Sequence, residues 1–146
     1  MNENQPWSEL PKPLIPLEDT FEGFLDLHWI ECTDARAEVT FAVRDNLKQP
    51  LGLLHGGIYC AVAETVASVA TARAVWNQGM AASGLSNNAS FLRPITAGDV
   101  AVGARRRSHN ADEWVWMLEF SDERAQICAL VTVTIAVRPR LTSGGA

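Results

Sequence analysis

The sequence carries no basic excess. Its 12 Lys and Arg stand against 17 Asp and Glu, a formal net charge of −5 over 146 residues. Without a basic face to neutralise phosphates, nonspecific nucleic-acid binding is not expected. Cysteine is scarce: Cys32, Cys60 and Cys128 are odd in number, widely spaced and form no CxxC pair. That argues against a disulfide framework or a zinc site, and for a reducing compartment. His28, His55 and His109 are equally scattered, so neither a metal nor a redox cofactor is expected. Residues 1–13 lack the basic and apolar regions of a secretory signal. No apolar run is expected to span a membrane, since even residues 58–75 contain Glu64 and Arg73. A cytoplasmic protein is the expectation.

What is present fits one globular domain: 47% of residues are apolar and 20% charged, and the length suffices for a single core but not two. Residues 1–16 read as a loosely held arm, 17–140 as the domain and 141–146 as a disordered tail. Residues 21–27 form either a helical turn or the lead into the first strand. Strand-like stretches follow at 28–32 and 36–43, joined by a turn at Thr33-Asp34-Ala35. Residues 44–54 read as an ordered loop. The period then changes: 57–77 is proline-free, alanine-rich and apolar on nearly every side, the mark of a buried helix, and Gly79 ends it. Strands resume at 82–93, 99–107, 114–120 and 126–138. In the last, Ile127, Ala129, Val131, Val133, Ile135 and Val137 are expected on one face. Two strands, a long helix and a four-strand meander make an α+β domain in which a curved sheet wraps the helix.

Leu54-His55-Gly56-Gly57 stands where this helix begins. Backbone N–H groups there lack intrahelical partners, the macrodipole adds positive potential, and glycines let a carbonyl approach closely. Together these make an oxyanion site for attack on a thioester, although glycines also serve plain helix–strand packing. Glu64 follows among apolar and small neighbours. Burying an ionised carboxylate unpartnered costs on the order of several kcal/mol. It is therefore either paired with an arginine from a neighbouring strand or subunit, or kept for chemistry. His55 and Glu64 are nine residues apart, which at about 100° per residue points them to opposite sides, roughly 13 Å apart along the axis. One helix cannot bring both to one substrate, but two antiparallel copies can. If these residues share a site, the protein is at least a symmetric dimer with two sites at its interface. Ser68, one turn after Glu64, either orients a water or the carboxylate, or bonds its own helix backbone. Arg105-Arg106-Arg107 is either a solvated strand end or a contact for a phosphorylated ligand.

In residues 54–64, 86–94 (Ser-Asn-Asn-Ala-Ser-Phe-Leu-Arg-Pro) and 135–140 (Ile-Ala-Val-Arg-Pro-Arg), the chain resembles the hotdog thioesterases. The resemblance spans roughly residues 27–140 and is nearest the 4-hydroxybenzoyl-CoA thioesterases of the Arthrobacter type. It implies a hotdog fold, a homotetramer built as a dimer of dimers, and hydrolysis of an aromatic, hydroxybenzoyl-type acyl-CoA of the kind met in aromatic degradation. No cofactor is implied beyond the CoA of the substrate. Gly56 N–H would hold the thioester carbonyl, with Gly57 beside it, Gln49 near the thioester and His55 supporting the loop. Glu64 would be the nucleophile or general base, and Ser68 takes a place where threonine is usual. The family's small hydroxyl residues near the CoA phosphates are replaced here by Asn110-Ala111-Asp112-Glu113, whose acidic groups repel a polyanion. Arg105, Arg106, Arg107, Arg138 and Arg140 are therefore the expected phosphate contacts. Alternatives are phenylacetyl-CoA or short aliphatic acyl-CoA as substrate, or a non-catalytic acyl-CoA binding module. Hydratases of the same fold place a longer interval between histidine and acid.

Overall fold

The computed structural model describes residues 6–141. A short helix α1 (Phe21–Leu25) is started by the Thr20 side chain, which accepts the Gly23 N–H at 3.2 Å. Strands β1 (His28–Cys32) and β2 (Arg36–Ala42) form a hairpin. Its turn is closed by the Thr33 hydroxyl, which accepts the N–H groups of Ala35 and Arg36. The long helix α2 (Gly56–Val75) follows, tightening into a 3-10 turn that Gly79 ends at φ +77°. Four strands complete the domain: β3 (Met80–Phe91), β4 (Asp99–His109), β5 (Glu113–Ser121) and β6 (Ile127–Pro139).

All six strands join one antiparallel sheet in the order β1-β2-β4-β5-β6-β3. The expected four-strand meander is only partly formed. β4, β5 and β6 meander, but β3 pairs with β6 from Met80↔Pro139 to Phe91↔Ala129 and so occupies the far edge. The chain then crosses back through residues 92–98 to place β4 beside β2. Some strand ends run further than composition suggests, because long neighbours supply partners: His109 faces Trp114 and Met80 faces Pro139. Others stop short, β2 at Ala42 and β3 at Phe91.

The sheet closes over α2. Val62, Ala63, Val66, Ala67 and Ala70 of the helix are fully buried, and their small volume lets the helix sit close to the concave face. Against them pack alternate residues of the strands, including Val102, Trp116, Leu118, Phe120, Val131 and Ile135. Each large side chain buried this way contributes about 1.5–3 kcal/mol. One polar link crosses this core: Trp116 Nε1–H donates to Thr71 Oγ1 at 2.9 Å, and that hydroxyl donates to the Ala67 carbonyl at 2.8 Å. In β6 the expected apolar face holds from Ala129 to Val137, but Ile127 lies at the sheet's end and is exposed.

Two further expectations need correcting. By length and composition Gly56–Gln78 is able to cross a bilayer, despite Glu64 and Arg73; its burial against the sheet identifies it as the core helix. The N-terminal arm, expected to be loosely held, is docked at residues 6–10, whereas residues 11–16 are exposed. Pro6–Glu9 forms a 3-10 turn, Trp7 and Leu10 pack on the core, and Glu9 pairs with Arg73 of α2. Residues 1–5, and all of the expected tail except Leu141, lie outside the described residues.

Candidate active site

The start of α2 is organised by His55. Its N–H donates to the Leu47 carbonyl at 2.9 Å, its carbonyl accepts the Ile58 N–H at 2.9 Å, and its Nδ1 accepts the Gly57 N–H at 2.9 Å. An imidazole accepting at Nδ1 carries its proton on Nε2. The supporting role expected of His55 thus takes the form of an N-cap. Gly57 N–H is consumed by this cap, whereas Gly56 N–H has no acceptor among the described residues. A lone donor with the helix dipole behind it therefore points outward.

Gly56 is kept bare for a second reason. A Cβ there would stand 3.0 Å from Phe91 Cζ, so the aromatic ring occupies the space of the missing side chain. Phe91 leans on Tyr59 (centroids 5.5 Å apart), which in turn meets Phe120 edge-on at 5.2 Å. Burial, with a smaller contribution from the neighbouring Cys128, pushes the Tyr59 hydroxyl up to about 12. Tyr59 and Phe91 help wall a cavity of about 340 Å³ that Gln49, Gly56 and Arg93 also line. Gln49 Oε1 is taken by the Leu51 N–H, which leaves its side-chain NH2 as a second donor without a partner among the described residues. Nothing in the sequence pattern singles out Arg93; only its position beside Gly56 does.

Glu64 lies elsewhere. In this chain it is exposed, not buried as its apolar neighbours suggest, because the sheet leaves uncovered the helix stripe of Cys60, Ala61, Glu64 and Ser68. It makes no ion pair among the described residues, so no arginine of this chain neutralises it. Its carboxylate folds against β3. A Cβ on Gly84 would fall 3.0 Å from Glu64 Oε1 and 3.1 Å from Cδ. The strand bulges between Gly84 and Ser86, and Asn87 Nδ2 ties it to the helix through the Cys60 carbonyl at 2.9 Å. Glu64 and Ser68 open onto a cavity of about 430 Å³, walled also by Trp7, Phe21 and Ala82. Thr71, not Ser68, is the hydroxyl that bonds back to its own helix.

Within one chain, then, Gln49 and Gly56 share one cavity while Glu64 and Ser68 share another. The five arginines are not brought together. Arg105 and Arg107 line a shallow cavity with Arg36, Glu38 and Glu119. Arg106 is held by Asp34 at 3.4 Å and lies 4.4 Å over the Trp114 ring. Arg138 is tied to the Asp112 carbonyl at 2.7 Å, and Arg140 sits 4.0 Å over Trp76. Among the described residues no three His, Cys, Asp or Glu side chains are grouped to hold a metal.

Residues 51–129 match the thioesterase superfamily. The chain is 32% identical over 120 residues to a 1,4-dihydroxy-2-naphthoyl-CoA hydrolase of Escherichia coli, covering 82% of this chain and 88% of that one. Its fold is similar to the crystal structure of a thioesterase from Haemophilus influenzae, with TM-score 0.79, 27% identity and coverage of 88% and 90%. It is also similar to that of a thioesterase variant from Pseudomonas aeruginosa, with TM-score 0.80, 26% identity and coverage of 85% and 89%. With its central helix, wrapped antiparallel sheet and bare glycine donor, the chain belongs to the thioesterase superfamily, as a thioester hydrolase of the hotdog fold.

Proposed function

We propose that this protein hydrolyses an aromatic acyl-CoA, of hydroxybenzoyl or hydroxynaphthoyl type, to the free acid and CoA. The observation that carries the proposal is the free Gly56 N–H in a cavity walled by Tyr59 and Phe91, aromatic surfaces beside two donors for a carbonyl, Gly56 N–H and the Gln49 amide. The E. coli relative, named for a bicyclic aromatic thioester, supports the substrate class.

The two half-sites call for a second copy. β3 is an edge strand of 12 residues with Leu85 and Phe91 exposed, and it borders the uncovered stripe of α2. Pairing two β3 edges about a two-fold axis sets the helices antiparallel and turns Glu64 toward the partner subunit's Gly56. A dimer of such dimers is the assembly we propose, and the free thiols suit the reducing cytoplasm. Arg93 at the mouth of the Gly56 cavity is an additional cation for CoA phosphates, beside the exposed Arg105 and Arg107.

In the reaction, Gly56 N–H and the Gln49 amide hold the carbonyl oxygen as it gains charge. Glu64 takes a proton from water, the oxygen of that water adds to the carbonyl carbon, and the C–S electron pair leaves with CoA, whose thiolate is then protonated. Alternatively a Glu64 oxygen adds first, expelling CoA thiolate, and water cleaves the resulting anhydride. Either route predicts that Glu64→Gln lowers turnover in a thiol-release assay by about 10²–10⁴-fold while the oligomer persists in sedimentation. Near-wild-type turnover by that variant would refute the assignment.

A further inference from the structure

The floor of the Glu64 cavity comes from α2 and, besides Glu64 itself, offers Ala61, Thr65, Ser68, Val69 and Ala72, none of them aromatic. Its flat apolar surfaces come from Trp7 and Phe21, both in the segment before β1 and outside residues 51–129. We propose, building on the aromatic-substrate reading above, that Trp7 is a specificity-determining residue: its indole forms the face against which the acyl ring lies beside Glu64.

The position of Trp7 is built rather than incidental. Its carbonyl accepts the Leu10 N–H at 3.1 Å, closing the turn. The next-but-one residue, Glu9, takes the Arg73 guanidinium in a two-point pair, Nε to Oε2 at 3.3 Å and Nη2 to Oε1. The remaining Arg73 nitrogen donates to the Cys32 carbonyl at 2.7 Å. One arginine thus clamps the arm to both α2 and the end of β1, and a forked pair fixes direction as well as distance. The indole also borders a smaller cavity of about 90 Å³ next to Leu27 and Trp29. Trp7 is therefore half-buried and lines both cavities. At about 430 Å³ the substrate side is within the range of small-molecule sites.

The test compares kcat/KM for benzoyl-CoA and hexanoyl-CoA in wild type, Trp7→Ala, Trp7→Phe and Glu9→Gln. The expected result is an aromatic-to-aliphatic ratio lowered about tenfold by Trp7→Ala, chiefly through KM. Trp7→Phe should recover most of it, and Glu9→Gln should lose a part through release of the clamp. Should the alanine variant not fold, Trp7→Leu, which keeps bulk without a ring, gives the same reading. An unchanged ratio in a wild type that does prefer benzoyl-CoA overturns this inference alone. A wild type with no aromatic preference overturns the substrate reading together with it.

Discussion

Gly84→Ala separates catalytic placement from stability. The added Cβ would lie 3.0 Å from Glu64 Oε1, 3.1 Å from Cδ and 3.5 Å from Cγ, so the carboxylate must retreat by a few tenths of an ångström. Gly84 is not among the glycines with positive φ, so alanine suits its backbone. Where the backbone fits, Gly→Ala stabilises by about 0.4–1 kcal/mol through the unfolded chain. Glu64 is exposed in the chain and is free to swing aside at little cost. The reaction is less tolerant, because a displacement near 1 Å costs about 10²-fold in rate. We therefore expect kcat to fall about 10- to 100-fold, KM to change little, and Tm to stay or rise by a few degrees. Steady-state kinetics and calorimetry on the same preparation decide the matter. Wild-type kcat would show that Glu64 needs no such cradle; a fall in Tm alongside kcat would mean that the strand, not the carboxylate, was disturbed.

Two further outcomes concern the core. Thr71→Val removes the acceptor of the fully buried Trp116 N–H; stranding that donor should cost about 1–3 kcal/mol, read from urea unfolding, with kcat little changed. Tyr59 titrates near 12 in the fold, above its ordinary value of about 10. Its contribution is complete below pH about 10 and is lost as pH rises toward about 12, on the order of 2 kcal/mol. The alkaline decline in stability should thus be shallower in Tyr59→Phe, and coincident pH profiles would contradict the burial argument.

The helix and most strands were legible because apolar periodicity and turn residues mark them directly: Gly79 stops α2, and Thr33 closes the β1–β2 turn. The place of β3 was not. Its Ser83, Gly84, Ser86, Asn88 and Ser90 give weak alternation, and strand order depends on which edge accepts the crossing, a property of the assembled sheet. The exposure of Glu64 was hidden for a related reason. Flanking alanines and valines signal burial for the helix as a whole, yet the sheet covers only part of its circumference. The nine-residue spacing of His55 and Glu64 puts them on opposite sides of the helix, and Gly56 and Glu64 line different cavities of the chain. The wall supplied by Trp7 escaped notice because its contact with α2 is set by a long-range clamp, Glu9 to Arg73.

That clamp also divides the labour of the chain between a packed helix and a docked arm. The helix is hemmed in by fully buried alanines and valines, so enlarging any of them strains the core and shifts the helix that carries Glu64. The arm sits outside that core and is fixed to it through Trp7, Leu10 and the Glu9–Arg73 pair. A side-chain change in the arm alters what borders the Glu64 cavity without repacking the buried face of the helix.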